Sequence, residues 1–434
     1  VTAESDDAFG RSVGGESLGI YNPGAVRGFS PIDAGNVRME GLYFDQQTDP
    51  NDRLVEGSAI RVGIAAQGYA FPSPTGIVDY DLRKVGKQRV VSPLLFYGPF
   101  GGGGAELDAQ VPLNGETFGV AFGAGLYRDA FEWGGRNRAY AVAVIPQWKP
   151  TENIELRPFY SRVKFSSEEP QPLMLMEGDI LPPKIRREHY FGQPWAKNDG
   201  VTSTHGFLGN VRTGEWIVRL GLFESVFAPR AEFADLYTDV GADGVGNEKL
   251  VAFPASRFES RSGELRVSRS FDEADRRHTL FFAARGRLQQ RRYGGEDEID
   301  VDTVQLGVGR AVPEPEFAFT EQSEDEVRQK TAGLAYELRW KDVGELSVGF
   351  QKTYYSRNSE TPLGPLPESR AHPLLKNAAA TFHVTDRVAL YGSYTQGLEE
   401  SPIAPDNAVN RNVAAPALMT KQVDAGVRWT VLED

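Results

Sequence analysis

From about residue 89 onward the chain repeats one pattern: segments in which apolar and polar residues alternate, joined by connections that are short, then long, then short again. In "AELDAQV", Ala105, Leu107, Ala109 and Val111 share one face while Glu106, Asp108 and Gln110 share the other. "HTLFFAARGRLQQ" sets Leu280, Phe282, Ala284 and Leu288 against Arg285, Arg287 and Gln289. "KQVDAGVRWTV" sets Val423, Ala425, Val427, Trp429 and Val431 against Gln422, Asp424, Gly426 and Arg428. Side chains of a strand point to opposite faces with period two, so each segment reads as a strand with one apolar and one polar face. Fourteen such strands start near residues 89, 104, 117, 139, 153, 203, 215, 263, 278, 330, 344, 377, 388 and 421.

A soluble sandwich also alternates; strand length and loop asymmetry separate the two cases. Most of the segments reach the ~9 to 11 residues that a tilted strand needs to cross a bilayer. The turns "LNGE", "KPTEN", "RTGE", "DEADRR", "KDVG" and "TDR" are short, whereas 166–202, 228–262, 293–329, 358–376 and 397–420 are long and mostly polar. Short turns on one side and long loops on the other is the layout of a transmembrane antiparallel β-barrel. "DTVQLGVG" alternates too, but as a span it would break the parity of the strands, so it is assigned to a loop. The last strand ends at "VLED" without a closing aromatic, and the barrel is expected to be incomplete, about 14 of about 22 strands. As an unclosed wall it would leave two edges unpaired in lipid and is not expected to insert stably alone.

Composition excludes other classes. With 47 basic and 60 acidic residues the net charge is −13, which disfavours nucleic acid as a partner. Cysteine is absent, so neither disulfides nor thiolate metal ligands are available. No run nears the ~18 to 20 apolar residues of a membrane helix. "GPFGGGG" at 98–104 lacks the Gly-Lys-Ser/Thr of a phosphate loop. "DVGADGVGNE" hints at a calcium loop through Asp239, Asp243 and Gly244, but Gly241 and Leu250 stand where ligands are needed, so it reads as a polar turn. The histidines at 189, 205, 278, 372 and 383 show no ligand spacing, and no nucleophile elbow or Ser/His/Asp arrangement is present, so no metal site, catalytic residue or enzyme activity is expected.

Residues 1–85 differ: they are glycine-rich, with short β-runs and no clean membrane-facing alternation. "VRGFS" at 26–30 followed by "NVRMEGLYFD" at 36–45, then "IRVGIAAQGYAFPSPTGIVDYDLRK", "YFGQPWAKNDG" and "YGSYTQGLEESPIAPDNAVNRN", occur in an order that resembles the TonB-dependent outer-membrane receptors of the ferric siderophore type. The resemblance implies a partial mixed α+β plug domain at 1–85, its N-terminal part missing, and a receptor β-barrel at 86–434, its C-terminal strands missing. It places the plug motif on Arg27, Gly28, Phe29, Asn36, Arg38 and Gly41. Arg61 stands where the family has Glu, and no coupling box precedes Asp6.

The resemblance implies a receptor in the outer membrane of a Gram-negative bacterium, a monomer in contact with outer-membrane lipid. It would bind a ferric siderophore and import it with energy from the TonB complex. Iron would arrive inside the chelate, with no protein cofactor. Vitamin B12 or a carbohydrate as ligand, or a passive porin-like barrel, are the alternatives. Arginine and aromatics on the long-loop side suit an anionic aromatic chelate, and Phe131, Trp133, Arg136, Arg187, Tyr190 and Trp195 are the candidate ligand contacts, against a reading as interface girdle. A plug that must move should meet the wall through wet, polar contacts, with Arg27, Arg38, Arg61 and Arg83 facing Glu106, Asp108 and Glu155.

Overall fold

The computed structural model describes residues 2–6, 11–14, 21–26, 30–74, 76–401, 403–404, 408–409 and 415–431. Among these, fourteen long strands make one antiparallel wall: Val90–Tyr97, Gly103–Asn114, Phe118–Ala130, Arg136–Thr151, Ile154–Glu168, Asn198–Thr213, Trp216–Val240, Arg257–Glu273, Arg276–Tyr293, Ser323–Trp340, Gly344–Thr361, Leu374–Thr385, Val388–Glu399 and Leu418–Trp429. Each pairs with the next along a residue-by-residue ladder. In ring order the wall is a closed barrel, with Val90–Tyr97 between Gly103–Asn114 and Leu418–Trp429, which corrects the expectation of an unclosed wall with two free edges. That last junction carries no such ladder among the described residues, and every residue of Val90–Tyr97 is exposed.

The alternation sets which face is wet. Asp108, Glu264 and Arg287 point into the lumen, whereas Leu222, Leu280, Leu334 and Leu390 are about half exposed on the outer face, where lipid would cover them. Trp148, Trp216, Trp340 and Trp429 take outward positions at the short-turn ends and form an aromatic girdle there.

The first half of "DTVQLGVG" ends a strand, Asp297–Gln305, that is not in the wall. It pairs with Val245–Phe253, which pairs with the distal half of Trp216–Val240; Leu173–Met176 runs parallel on the far side. This sheet extends beyond the long-loop end over its own core of Phe191, Tyr237, Val240, Val304 and Leu306. "DVGADG" forms its hairpin turn, with Gly244 in the left-handed region at φ +78°.

The N-terminal residues form a separate six-stranded mixed sheet, in the order Arg11–Gly14, Thr2–Asp6, Val55–Arg61, Ile77–Leu82, Val37–Met39, Leu42–Tyr43. Its helical content among the described residues is a single 3₁₀ turn, Gly63–Gly68. The sheet sits inside the wall. Its core residues Met39, Leu42, Phe44, Ile60 and Val78 pack in one cluster with Ala121, Ala143, Ile145, Phe159, Leu208 and Phe223 of the wall. A sheet this small cannot cover its own apolar face, and the barrel supplies the second layer.

Candidate functional site

Plug and wall meet most densely at a hairpin tip. Val37–Met39 and Leu42–Tyr43 are joined by Glu40 and Gly41, both left-handed at φ 53° and 76°, the geometry of a two-residue type I′ turn. Asparagine is the residue that usually tolerates the first position; a glutamate there carries roughly 1–2 kcal/mol of backbone strain. What holds it is the wall. Arg157 grips the Glu40 carboxylate with two contacts of 3.0 Å, and the Leu82 amide donates to it at 3.1 Å. Arg219 donates to the Glu40 carbonyl and Arg266 to the Gly41 carbonyl at 3.0 Å, while the Gly41 amide donates to Asp79 at 2.8 Å. Burial pushes the Glu40 carboxyl up, but the hydrogen bond and charge of Arg157 outweigh it and hold the group below its ordinary value.

Beyond the tip the chain runs along the wall without joining its ladder. The amides of Tyr43, Asp45 and Gln47 donate to side chains of the barrel: Glu264 at 2.9 Å, Ser262 at 2.9 Å and Ser225 at 3.0 Å. Asp45 accepts from Arg287 at 2.8 Å and from Ser260 at 2.5 Å, and Arg287 also pairs with Glu400. Arg38 and Arg285 both lie over the Tyr43 ring, with guanidinium carbons 5.5 and 4.8 Å from its centre. Burial and the adjacent Arg285 lower Arg38 to about 10. On the other flank Arg53 bonds Glu106 at 2.9 Å and Asp108 at 2.7 Å, and Arg83 approaches Asp108 at 3.4 Å.

Several expectations need correction. The interface is not uniformly wet, because the shared apolar cluster includes an edge-to-face contact of Phe44 with Phe223 at 5.5 Å. Arg61 does not face the wall: it bonds Glu4 and Asp6 of the neighbouring plug strand, since it lies on the strand paired with Thr2–Asp6. Glu155 serves wall neighbours, Gln147 at 2.7 Å and Arg157 at 3.8 Å. Arg53, which sequence reasoning missed, takes the contacts expected of Arg38 and Arg61. Of the plug motif, Arg27, Gly28 and Phe29 lie outside the described residues; Asn36 and Arg38 are buried, and Gly41 is the turn glycine.

At the long-loop end four rings line the inner face in a row, Phe165, Phe227, Phe258 and Tyr293, with centres 6.4, 5.8 and 6.2 Å apart and planes within 29° of parallel. Gly200 makes the row continuous: a Cβ there would clash with the Phe165 ring. The predicted ligand residues fall in two places. Phe131 and Trp133 stack face to face at 4.3 Å, and Gly134 of their turn lies against the backbone of His189 and Tyr190, with Arg187 exposed on that same loop. Arg136 is tied through its backbone to Glu169. Trp195 is elsewhere; its indole N–H donates to the Val312 carbonyl at 2.8 Å, and its ring packs on Phe233 and Phe317.

A polar-lined barrel that holds a small mixed sheet by its turn, beneath a row of aromatics at one mouth, has close counterparts of known structure. Over 92% of this chain, and 61% of its own, the ferric preacinetobactin receptor of Acinetobacter baumannii superposes with a TM-score of 0.72 at 15% identity. The ferripyoverdine receptor of the outer membrane of Pseudomonas aeruginosa, bound to ferripyoverdine, matches 99% of this chain and 57% of its own at 0.76 and 14%. The ferric-catecholate import receptor of E. coli K12 matches 92% and 64% at 0.71 and 12%. The fold is that of a TonB-dependent receptor. No protein-family model and no curated protein matches the sequence. The likeness therefore lies in architecture, and the chain spans about three-fifths of the length of these receptors.

Proposed function

We propose that residues 1–85 are the plug and 86–434 the wall of an outer-membrane receptor that imports a ferric siderophore by energy drawn from the TonB complex. The observation that carries this reading is the seat of the Glu40–Gly41 turn and the Tyr43–Gln47 stretch. Every polar contact there is a discrete side-chain bond that water can replace one at a time, so the plug can be pulled away without unzipping the wall. The ligand would be held at the long-loop mouth. The Phe165–Tyr293 row offers stacking for aromatic chelating groups, and Phe131, Trp133, Arg136, Arg187, Tyr190 and Trp195 are the surrounding candidates. Iron comes and goes inside the chelate, so the protein needs no cofactor of its own, and one chain makes one path.

The test is growth of a receptor-deleted strain carrying this protein on candidate ferric siderophores, with uptake of labelled iron measured with and without the coupling complex. Uptake of one chelate that stops without coupling, while binding persists, is the expected result. Uptake indifferent to coupling would make it a passive pore. Coupled uptake of vitamin B12 or a carbohydrate, with no ferric chelate taken up, would reassign the ligand.

A further inference from the structure

The outer face of the wall carries a groove of about 1080 Å³ across Trp216–Val240, Arg257–Glu273, Arg276–Tyr293 and Ser323–Trp340. Gly263 and Gly286 sit opposite each other in the ladder and form its floor, with Leu222 on one side and Lys330 on the other. Their neighbours Ser262, Glu264 and Arg287 point into the lumen, so alternation turns both glycines toward lipid. Three strand spacings separate Leu222 from Lys330, roughly 14 Å, room for more than one acyl chain side by side. Leu222 and Leu265, both exposed, flank the floor.

The upper end of the groove is charged. Lys330 lies ten residues from the girdle residue Trp340 on one strand. That is about 33 Å along the strand and, at barrel tilt, about 25 Å along the membrane normal, the height of the apolar band. Lys330 and, one step further out, Arg328 therefore stand where lipid headgroups begin. Arg328 bonds Glu326 at 2.8 Å, and Arg261 bonds both Glu224 and Glu259 at 2.9 Å. His205 adds a 2.6 Å contact to Glu224. Lys330 is exposed and, among the described residues, has no carboxylate partner.

An apolar slot with a glycine floor, capped at headgroup height by an uncompensated cation, is the complement of an anionic amphiphile. We propose that this groove binds one phosphorylated lipid of the outer leaflet, its phosphate on Lys330 and Arg328 and its acyl chains over Gly263 and Gly286. Inorganic phosphate would lack the apolar part, and an uncharged lipid the anion. The site faces away from the lumen and is independent of the import reading.

Native mass spectrometry of the full chain in detergent tests this, with a multiply acylated diphosphoryl disaccharide lipid, its dephosphorylated counterpart and inorganic phosphate as probes. One phosphorylated lipid should be retained. Lys330→Glu, a change of two charges, should weaken it about thirty-fold, and Lys330→Gln about five-fold. Gly286→Leu, which fills the floor, should weaken it with the cations intact, and inorganic phosphate should not displace it. Equal retention of the phosphorylated and dephosphorylated lipids, or undiminished retention by both Lys330 variants, would overturn the proposal. Neither Lys330 variant removes a partner within the protein, and heat-modifiable gel migration reports that the wall has folded.

Discussion

Glu40→Gln is the sharpest probe of how the plug is held. The Arg157 side chain is 4% exposed and that of Glu40 10%, and their two contacts are both 3.0 Å. Replacing the carboxylate with an amide leaves a buried guanidinium with only Glu155, 3.8 Å away, as counter-ion. Breaking one side of such a pair costs about 3–5 kcal/mol, and residual solvent contact argues for the lower end, about 3 kcal/mol. Because the chain has no cysteine, Glu56→Cys on the exposed side of the plug can carry a single fluorophore. With a urea slope of about 1.5 kcal/mol per molar for a unit of this size, the plug transition should move down by about 2 M, the wall transition staying in place. Arg157→Met should act similarly, and the double variant should lose less than the sum. Glu40→Asn separates charge from backbone, since asparagine accepts the left-handed turn; it should lose about as much as Gln, less the relief of strain. The pH dependence has a fixed sign. A carboxyl held below its ordinary 4.5 adds stability that is complete above that value and lost as pH falls through the depressed one. A midpoint shift under about 0.3 M for both single variants would refute the argument that this ion pair seats the plug.

Phe44 is fully buried against Phe223, and Phe44→Ala should lower plug stability by about 3–5 kcal/mol in the same titration. Gly41→Val forces a β-branched residue to φ +76°, with its Cβ 3.4 Å from Arg219, and should cost about 1–2 kcal/mol or more. In the sheet beyond the wall, burial and then Glu248 raise Asp235 to about 7, and one of its carboxylate oxygens is buried without a hydrogen-bond partner. A carboxyl raised in the folded state adds stability that is complete below its ordinary 3.8 and lost as pH rises through about 7. Amide exchange in Val245–Phe253, corrected for intrinsic rates, should therefore quicken across neutral pH, and Asp235→Asn should flatten the change.

The wall was legible in the sequence because period-two alternation is a property of each strand alone. All fourteen predicted starts fall in or beside wall strands, and "DTVQLGVG" is off the wall as the parity of turns required. The plug was less legible. Alternation says that Asp108 faces inward, but which cation meets it depends on how six short strands order themselves, and Arg53 rather than Arg38 or Arg61 ends nearest. The aromatic row was hidden for the same reason. Phe165, Phe227, Phe258 and Tyr293 are far apart in the chain and align only once the ladder registers are known. The strain at Glu40 leaves no mark in sequence, since glutamate before glycine is ordinary until a wall arginine holds it there.

The larger apolar cluster and the contacts of Asp45 occupy different sectors of the wall, with Arg157, Arg219 and Ser225 adding polar bonds in the first and Phe71 a smaller apolar contact with Ala283 and Ala335 in and beyond the second; on the import reading proposed above this favours one direction of movement. Apolar contacts come from Ala121, Ala143, Ile145, Phe159, Leu208 and Phe223, on consecutive strands from Phe118–Ala130 to Trp216–Val240. The contacts of Asp45 with Ser262, Ser260 and Arg287 come from the next two strands, Arg257–Glu273 and Arg276–Tyr293. Water replaces a hydrogen bond at a net loss of about 0.5–1.5 kcal/mol, but exposing apolar surface costs about 25 cal/mol per Å² with nothing returned. A pulled plug should therefore part first from the Asp45 contacts and pivot on the larger apolar cluster. A disulfide between Asp45→Cys and Ser260→Cys, whose side chains meet at 2.5 Å, should stop energy-driven uptake until reduced. One between Val85→Cys and Gly119→Cys, where a Cβ on Gly119 would lie 2.6 Å from the Val85 side chain, should leave uptake running. Uptake that survives the first bridge, or stops only with the second, would place the opening on the other side.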